Sequence, residues 1–255
     1  MTVAIIPARM ASSRFPGKPL ADILGVPMLG HCYYRTKMSA MLDGVYIATC
    51  DDVIRDYAES IGAPCVMTAA THERASDRIA EAMLKIEKST GDRHDIVVLV
   101  QGDEPMLRPE MVDALVRALE DDPAIQVANG VAAIKSVDDF EDPNEVKVVV
   151  DGNGDAIYFS REPIPSRRKH DGPVPMLKQV CIIPFRCDYL LKFNSTPQTP
   201  LEKIESIDML RVIETGGRVR MVAMGHDTMS VDTPDDLELV KGLMKNDELM
   251  ARYGD

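Results

Sequence analysis

The chain has 255 residues, 45% of them hydrophobic, with 41 acidic against 29 basic side chains and a formal charge of −12. Such a length buries a full core and fits one large α/β body better than two independent domains, while the acidic excess argues against a nucleic-acid backbone or an anionic membrane as main partner. Cys32, Cys50, Cys65, Cys181 and Cys187 are odd in number and never stand in Cys-x-x-Cys spacing, so neither zinc nor a disulfide framework is expected. No basic segment leads into an apolar core of signal length and no apolar run approaches a membrane span, which predicts a cytoplasmic protein with reduced thiols.

The first run, Val3-Ala4-Ile5-Ile6, is short enough for a buried parallel strand, and Pro7 is expected to end its ladder because proline has no N–H to donate. The loop that follows holds Arg9, Arg14 and Lys18 with no acidic residue, among Ser12, Ser13 and Gly17, and its prolines keep it out of a helix. Fixed cations and small polar groups at the carboxyl end of a strand suit a polyphosphate, since open α/β sheets bind ligands at that end; a solvated basic loop is the plainer alternative. Pro19 after Lys18 rules out a Walker loop, and no Gly-x-Gly-x-x-Gly follows the strand.

Pro27 opens a helix with Met28, Leu29, Cys32, Tyr33 and Met38 at helical spacing, and residues 45–49 read as the next strand. Asp51 and Asp52 are expected to cap a helix that runs through Ser60 and stops at Gly62, before a third strand at 64–67. Thr71 to Arg78 then lead into a helix whose apolar face is expected to include Ile79, Met83, Leu84 and Ile86. Alternating strands and helices predict an α/β, doubly wound, mainly parallel sheet. Residues 95–100 suit a central strand covered on both faces. It delivers Gln101-Gly102-Asp103-Glu104-Pro105, where a carboxylate either holds Mg²⁺ or caps the helix that includes Met111 and Leu119.

Residues 125–134 supply another strand, and 145–150 with 156–159 read as a hairpin across Asp151-Gly152-Asn153-Gly154-Asp155. That turn imitates a calcium loop, but Ala156 replaces the glycine needed at its sixth position and strands flank it, so a hairpin turn is the reading. A proline-broken basic loop follows, from Ser160 to His170. A strand at 179–185, a helix at 201–215 ended by Gly216-Gly217, and strands at 219–224 and 230–231 are expected next. In the last motif, Thr233 or Asp232 is placed to cap a closing helix with Pro234 at its first position.

Four segments in order resemble the CMP-KDO synthetases (3-deoxy-manno-octulosonate cytidylyltransferases). They are Pro-Ala-Arg-x-x-Ser-x-Arg-x-Pro-Gly-Lys-Pro-Leu from Pro7, Val-Gln-Gly-Asp-Glu-Pro from Val100, Phe-Ser-Arg-x-x-Ile-Pro from Phe159 and Val-Asp-Thr-Pro-x-Asp-Leu from Val231. The resemblance implies a glycosyltransferase-A-like nucleotidyltransferase fold, a single domain over 1–255 with a β-rich lobe at 156–210 for sugar binding and homodimerisation. It implies a Mg²⁺-dependent reaction of CTP with an acidic sugar for lipopolysaccharide or surface-glycan synthesis. Asp103 and Asp232 would hold the metal, with Arg9 and Lys18 as further catalytic groups. Ala8, Arg9, Ser13, Arg14, Lys18, Ser76, Arg78 and Gln101 would bind the nucleotide, and Gln101, Arg161, Gln179 and Asp208 the sugar.

The chain departs from that family's pattern in the sugar half. Gln179-Val180-Cys181-Ile182-Ile183 stands where it usually has His-Leu-Gly-Ile-Tyr, and Asp208-Met209 where it has Glu-Gln. A site built for particular hydroxyls rejects analogues that leave polar groups unpaired. KDO, another sugar acid such as a nonulosonic acid, and a phosphonate therefore stay open as acceptors. A non-catalytic nucleotide-sugar-binding protein is the other reading; the presence of both carboxylates favours an enzyme. No nucleophile motif points to a covalent intermediate.

Overall fold

Every side chain of β1 (Thr2–Ala8) except Pro7 is buried, as a strand covered on both faces requires. The computed structural model describes residues 1–11, 15–169, 171–226 and 228–253. The chain divides into two compact units, 1–113 with 228–255, and 114–227.

In the first unit β1 is followed by a short 3-10 turn (Lys18–Leu20), the small hairpin β2 (Asp22–Ile23) and β3 (Val26–Pro27), and α1 (Met28–Lys37). Next come β4 (Gly44–Thr49), α2 (Asp52–Ser60), β5 (Cys65–Met67), α3 (Ala75–Thr90) and β6 (Ile96–Val100), then α4 (Pro109–Asp121), in which the boundary falls. The strands stand side by side as β6-β1-β4-β5, all parallel, so the alternating pattern is borne out. Pro7 does not end β1. Pairing with β6 stops at Ile5↔Leu99, whereas pairing with β4 continues through Pro7↔Ala48 to Ala8↔Thr49, so the proline sits where one side of the strand needs no donor.

Two local expectations also fail. Asp51 precedes α2 but makes no side-chain cap bond; its Oδ2 instead accepts from the Met10 N–H at 2.8 Å. Leu84 is not on the buried face of α3: it is 47% exposed, while Ile79, Met83 and Ile86 are buried.

The second unit is built on a sheet in the order β12-β7-β10-β8-β9. Its elements are β7 (Ala128–Ala133), α5 (Val137–Glu141), β8 (Lys147–Val150), β9 (Ala156–Ser160), β10 (Leu177–Val180), β11 (Ile182–Arg186), α6 (Cys187–Ser195), α7 (Pro200–Glu205), α8 (Met209–Glu214) and β12 (Arg220–Ala223). The hairpin β8–β9 forms as expected, with Asp151 Oδ1 accepting from the Asn153 and Asp155 N–H groups at 2.8 and 2.9 Å.

The strand expected at 179–185 is broken at Cys181. The buried Asn129 amide takes the Val180 carbonyl at 2.6 Å, which ends β10 where its pairing with β7 also ends, at Val180↔Gly130. Val180, Ile182, Ile183 and Phe185 are all buried, so this apolar run supplies no free face for a partner subunit. The helix expected at 201–215 is two helices. Ser206 adopts φ 56° in the left-handed region, and the fold-back lets Arg211 grip the Glu202 carboxylate with both Nε and Nη2, at 2.7 and 2.5 Å. Residues 230–231 are not a strand. They lead into α9 (Pro234–Met244), which returns to the first unit. Among the described residues, no helix is long and apolar enough to cross a membrane.

Candidate active site

The first unit gathers three charged side chains at the carboxyl end of its sheet. Lys18 Nζ donates to Asp103 Oδ2 at 2.8 Å and to Asp232 Oδ1 at 3.3 Å. The three side chains are 13%, 23% and 25% exposed respectively. Burial would lower the pKa of the Lys18 ammonium, but Asp103 and then Asp232 outweigh it and hold it above the ordinary lysine value.

Each of the three is positioned by its own segment. Lys18 follows Gly17, whose φ of 76° is a left-handed conformation that glycine adopts without a Cβ penalty. The Gly17 N–H donates to the Met10 carbonyl and the Lys18 N–H to the Phe15 carbonyl, both at 3.2 Å, closing the loop on itself. Asp103 follows β6 through Gly102, where an added Cβ would stand 3.2 Å from the Pro7 carbonyl oxygen. Asp232 precedes α9. Thr233 caps that helix by accepting from the Asp236 N–H, while Asp236 Oδ2 accepts from the Asp232 and Thr233 N–H groups at 3.0 and 2.8 Å. The cap therefore falls to Thr233, and the Asp232 carboxylate accepts from Lys18. Beneath lies a core of Ile23, Met28, Val231, Leu237, Val240 and Met244.

Two carboxylates converging on one cation form a donor set that fits Mg²⁺, which takes one or two carboxylates and completes its octahedron with phosphate oxygens and water. Among the described residues no group of three or more His, Cys, Asp and Glu side chains is arranged for a metal. A divalent ion at Asp103 and Asp232 would thus draw its remaining ligands from substrate and water.

Residues 3–221 match the family described as Cytidylyltransferase. The chain belongs to the cytidylyltransferase family. It is 42% identical over 247 residues to the 3-deoxy-manno-octulosonate cytidylyltransferase of Geobacter metallireducens, covering 93% of this chain and 95% of that one. The mitochondrial 3-deoxy-manno-octulosonate cytidylyltransferase of Arabidopsis thaliana is 39% identical over 245 residues, covering 95% of this chain and 83% of that one. A solved CMP:2-keto-3-deoxy-manno-octonic acid synthetase complexed with CTP superposes with a TM-score of 0.87 at 40% identity, over 95% of this chain and 98% of that one. A cytidylyltransferase of Leptospira borgpetersenii, with a TM-score of 0.64 and 19% identity, shares the fold.

As a cytidylyltransferase the chain is an enzyme, and its mixed α/β architecture with a parallel sheet agrees with the fold expected from its motifs. Of the residues expected around the nucleotide, Ala8 is buried at the end of β1 and Arg9 is exposed just beyond it. Ser13 and Arg14 lie outside the described residues. Ser76 and Arg78 are buried in the first turn of α3, and Arg78 Nη1 donates to Thr68 Oγ1 and to the Ala69 carbonyl. Gln101 is half-buried after β6.

Arg161, Gln179 and Asp208 belong to the second unit. Arg161 Nε and Nη1 donate to the carbonyls of Glu205 and Pro143, both at 2.8 Å. The Gln179 amide donates to Asn129 Oδ1. Asp208 stands at the N-terminus of α8 without a side-chain cap bond. Two expected acceptor contacts are therefore already hydrogen-bonded within their own unit.

Several buried polar contacts of the first unit carry no signal in the sequence pattern. Glu104, 5% exposed, accepts from Thr228 Oγ1 at 2.6 Å. Arg35, fully buried on α1, pairs with Asp247 at 3.0 Å and donates from Nε to Tyr253 Oη at 2.8 Å. His31 Nε2 donates to the Ile23 carbonyl at 2.8 Å, which leaves Nδ1 to accept from Tyr253 Oη, also at 2.8 Å. Only Asp236 carried a visible signal, as the fourth residue of a capping box that starts at Thr233.

Proposed function

We propose that this enzyme transfers CMP from CTP to the anomeric hydroxyl of 3-deoxy-manno-octulosonate and releases pyrophosphate. The observation that carries the proposal is the meeting of Lys18, Asp103 and Asp232 within 3.3 Å, in a chain 42% and 39% identical to two named octulosonate cytidylyltransferases. The acceptor oxygen attacks the α-phosphorus in line, forming one P–O bond as the bond to the β-phosphate oxygen breaks, and the hydroxyl proton leaves to solvent. Asp103 and Asp232 hold Mg²⁺, which when bound supplies positive charge to the phosphoryl oxygens. Arg9 adds charge beside the α-phosphoryl group, and Lys18 and Arg14 hold the departing phosphates. Ala8, Ser13, Ser76, Arg78 and Gln101 contact the nucleotide in this reading, and Arg161, Gln179 and Asp208, together with Gln101, recognise the acceptor.

Pyrophosphate release measured with CTP, UTP, ATP and GTP across KDO, nonulosonic acids and phosphonates tests this. Turnover is expected with CTP and KDO. Turnover with a different acid in preference to KDO would keep the cytidylyl transfer and overturn the acceptor, and no turnover with CTP and any acid would overturn both. The same reading includes a homodimer formed through the lobe at 156–210. Its support there is the exposure of Ile157 on the edge strand β9 and of Ile204 on α7, 54% and 77% respectively, and light scattering at micromolar concentration checks it.

A further inference from the structure

We propose that Lys18 and a divalent cation are alternative occupants of the Asp103 and Asp232 carboxylates, and that the nucleotide makes the exchange by drawing the Lys18 ammonium onto its phosphates. This rests on the reading of those carboxylates as the metal pair, and it adds the role of Lys18 as their competing counterion.

The geometry points to competition. One ammonium lies within hydrogen-bond distance of both carboxylates, at 2.8 and 3.3 Å, so it occupies oxygens that a metal ion would need. A dication bound with the ammonium still there would stand beside another positive charge in a site largely shielded from water, where repulsion is strong. A dication bound after the ammonium has left is spared that repulsion.

The means of leaving is also visible. The backbone around Lys18 is pinned by the Gly17 to Met10 and Lys18 to Phe15 hydrogen bonds, and Pro19 is buried directly after it. The charge, however, sits at the end of a flexible four-carbon stem. Rotation of that stem carries Nζ off the carboxylates without disturbing the loop. A triphosphate is the group able to attract it, since each phosphate offers several anionic oxygens. Metal without nucleotide then meets the Lys18 ammonium, and metal with nucleotide a pair from which that ammonium has moved. The enzyme is thereby kept from holding a tight metal when there is no nucleotide to act on.

The test uses Mn²⁺ as the metal probe, followed by electron paramagnetic resonance, with a non-hydrolysable CTP analogue at saturation or omitted. Without nucleotide, Lys18→Met is expected to bind Mn²⁺ at least about tenfold tighter than wild type; with nucleotide the difference is expected to shrink below about threefold, because the wild-type ammonium has already moved. Lys18→Gln serves as the second neutral variant, and circular dichroism checks the folding of both. A tenfold difference that persists with nucleotide identifies Lys18 as a fixed neighbouring charge and overturns the exchange. So does equal affinity without nucleotide, provided that Asp103→Asn weakens Mn²⁺ binding, in which case the metal assignment stands. Mn²⁺ binding that Asp103→Asn leaves unchanged in every form overturns the assignment and the exchange together.

Discussion

The Val231 N–H donates to the Asp103 carbonyl at 2.9 Å, so the backbone that presents Asp232 is fastened to the backbone that presents Asp103. The convergence of the two carboxylates is therefore set by main chain and does not depend on the side chains alone. A conservative change of either carboxylate should leave the scaffold standing.

Asp103→Asn and Asp232→Asn are each expected to lower kcat by at least about an order of magnitude, because each removes one charge from the proposed metal pair. Thermal unfolding of both variants should stay close to wild type. Pyrophosphate release at several Mg²⁺ concentrations is the check, and near-normal turnover of either variant at ordinary Mg²⁺ removes that residue from the site.

Gly102→Ala should impair the same step by a different route. The new Cβ would stand 3.2 Å from the Pro7 carbonyl oxygen and 3.5 Å from both Ile6 Cγ2 and Leu29 Cδ1. These are backbone and core atoms with little freedom to yield. The strand end that carries Asp103 must shift, and displacement of a catalytic group by about 1 Å costs on the order of 100-fold in rate. The expected result is a loss of kcat accompanied by lowered stability, and wild-type values for both would contradict the close approach.

Glu81 gives a signed pH dependence. Burial alone would raise its pKa, but bonds from Lys85, the Ala69 N–H and His72 outweigh it and bring it down to about 2. A carboxyl with a depressed folded-state pKa contributes stability above its unfolded value, and the contribution is lost as pH falls through the folded value. Wild type should therefore lose stability relative to Glu81→Gln between about pH 4.5 and the Glu81 value of about 2. The amplitude is small because Lys85 is 50% exposed. Denaturant titrations of both proteins across that range, run in parallel, measure it; parallel curves would show that the Glu81 contacts contribute nothing.

Asp247→Asn should be among the more costly single changes outside the site. Arg35 is 0% exposed and Asp247 answers its charge at 3.0 Å; removing one partner of a buried pair costs about 3 kcal/mol or more. Asp247→Asn is expected to shift the urea midpoint strongly downward while Tyr253→Phe, which removes a hydroxyl and no charge, shifts it less. Equal small shifts would mean that water reaches Arg35.

What was legible in the sequence was local. The buried run of β1, the non-helical loop after it, the glycine before Asp103 and the cap at Thr233 all depend on residues within a few positions of one another. The breaks at Cys181 and Ser206 were not, because each goes with a contact that periodicity does not show: the Asn129 amide on the Val180 carbonyl, 51 residues away, and the fold-back that sets the Arg211 guanidinium on Glu202. Asp51 looked like a helix cap and turned out to hold the loop after β1. The resemblance already placed Asp103 and Asp232 together, but the bonds of Lys18 to both needed the packing of Val231 and α9 against Ile23 and Met28.

The first unit is made of the chain's beginning and its end, with residues 114–227 between them. Synthesis on a ribosome runs from the amino terminus, and domains generally fold as units as they emerge. Lys18 and Asp103 are delivered early, and the whole of the second unit is translated before Asp232 appears. A nascent chain can thus complete its parallel sheet and the intervening unit and still lack the acid that meets Lys18 beside Asp103.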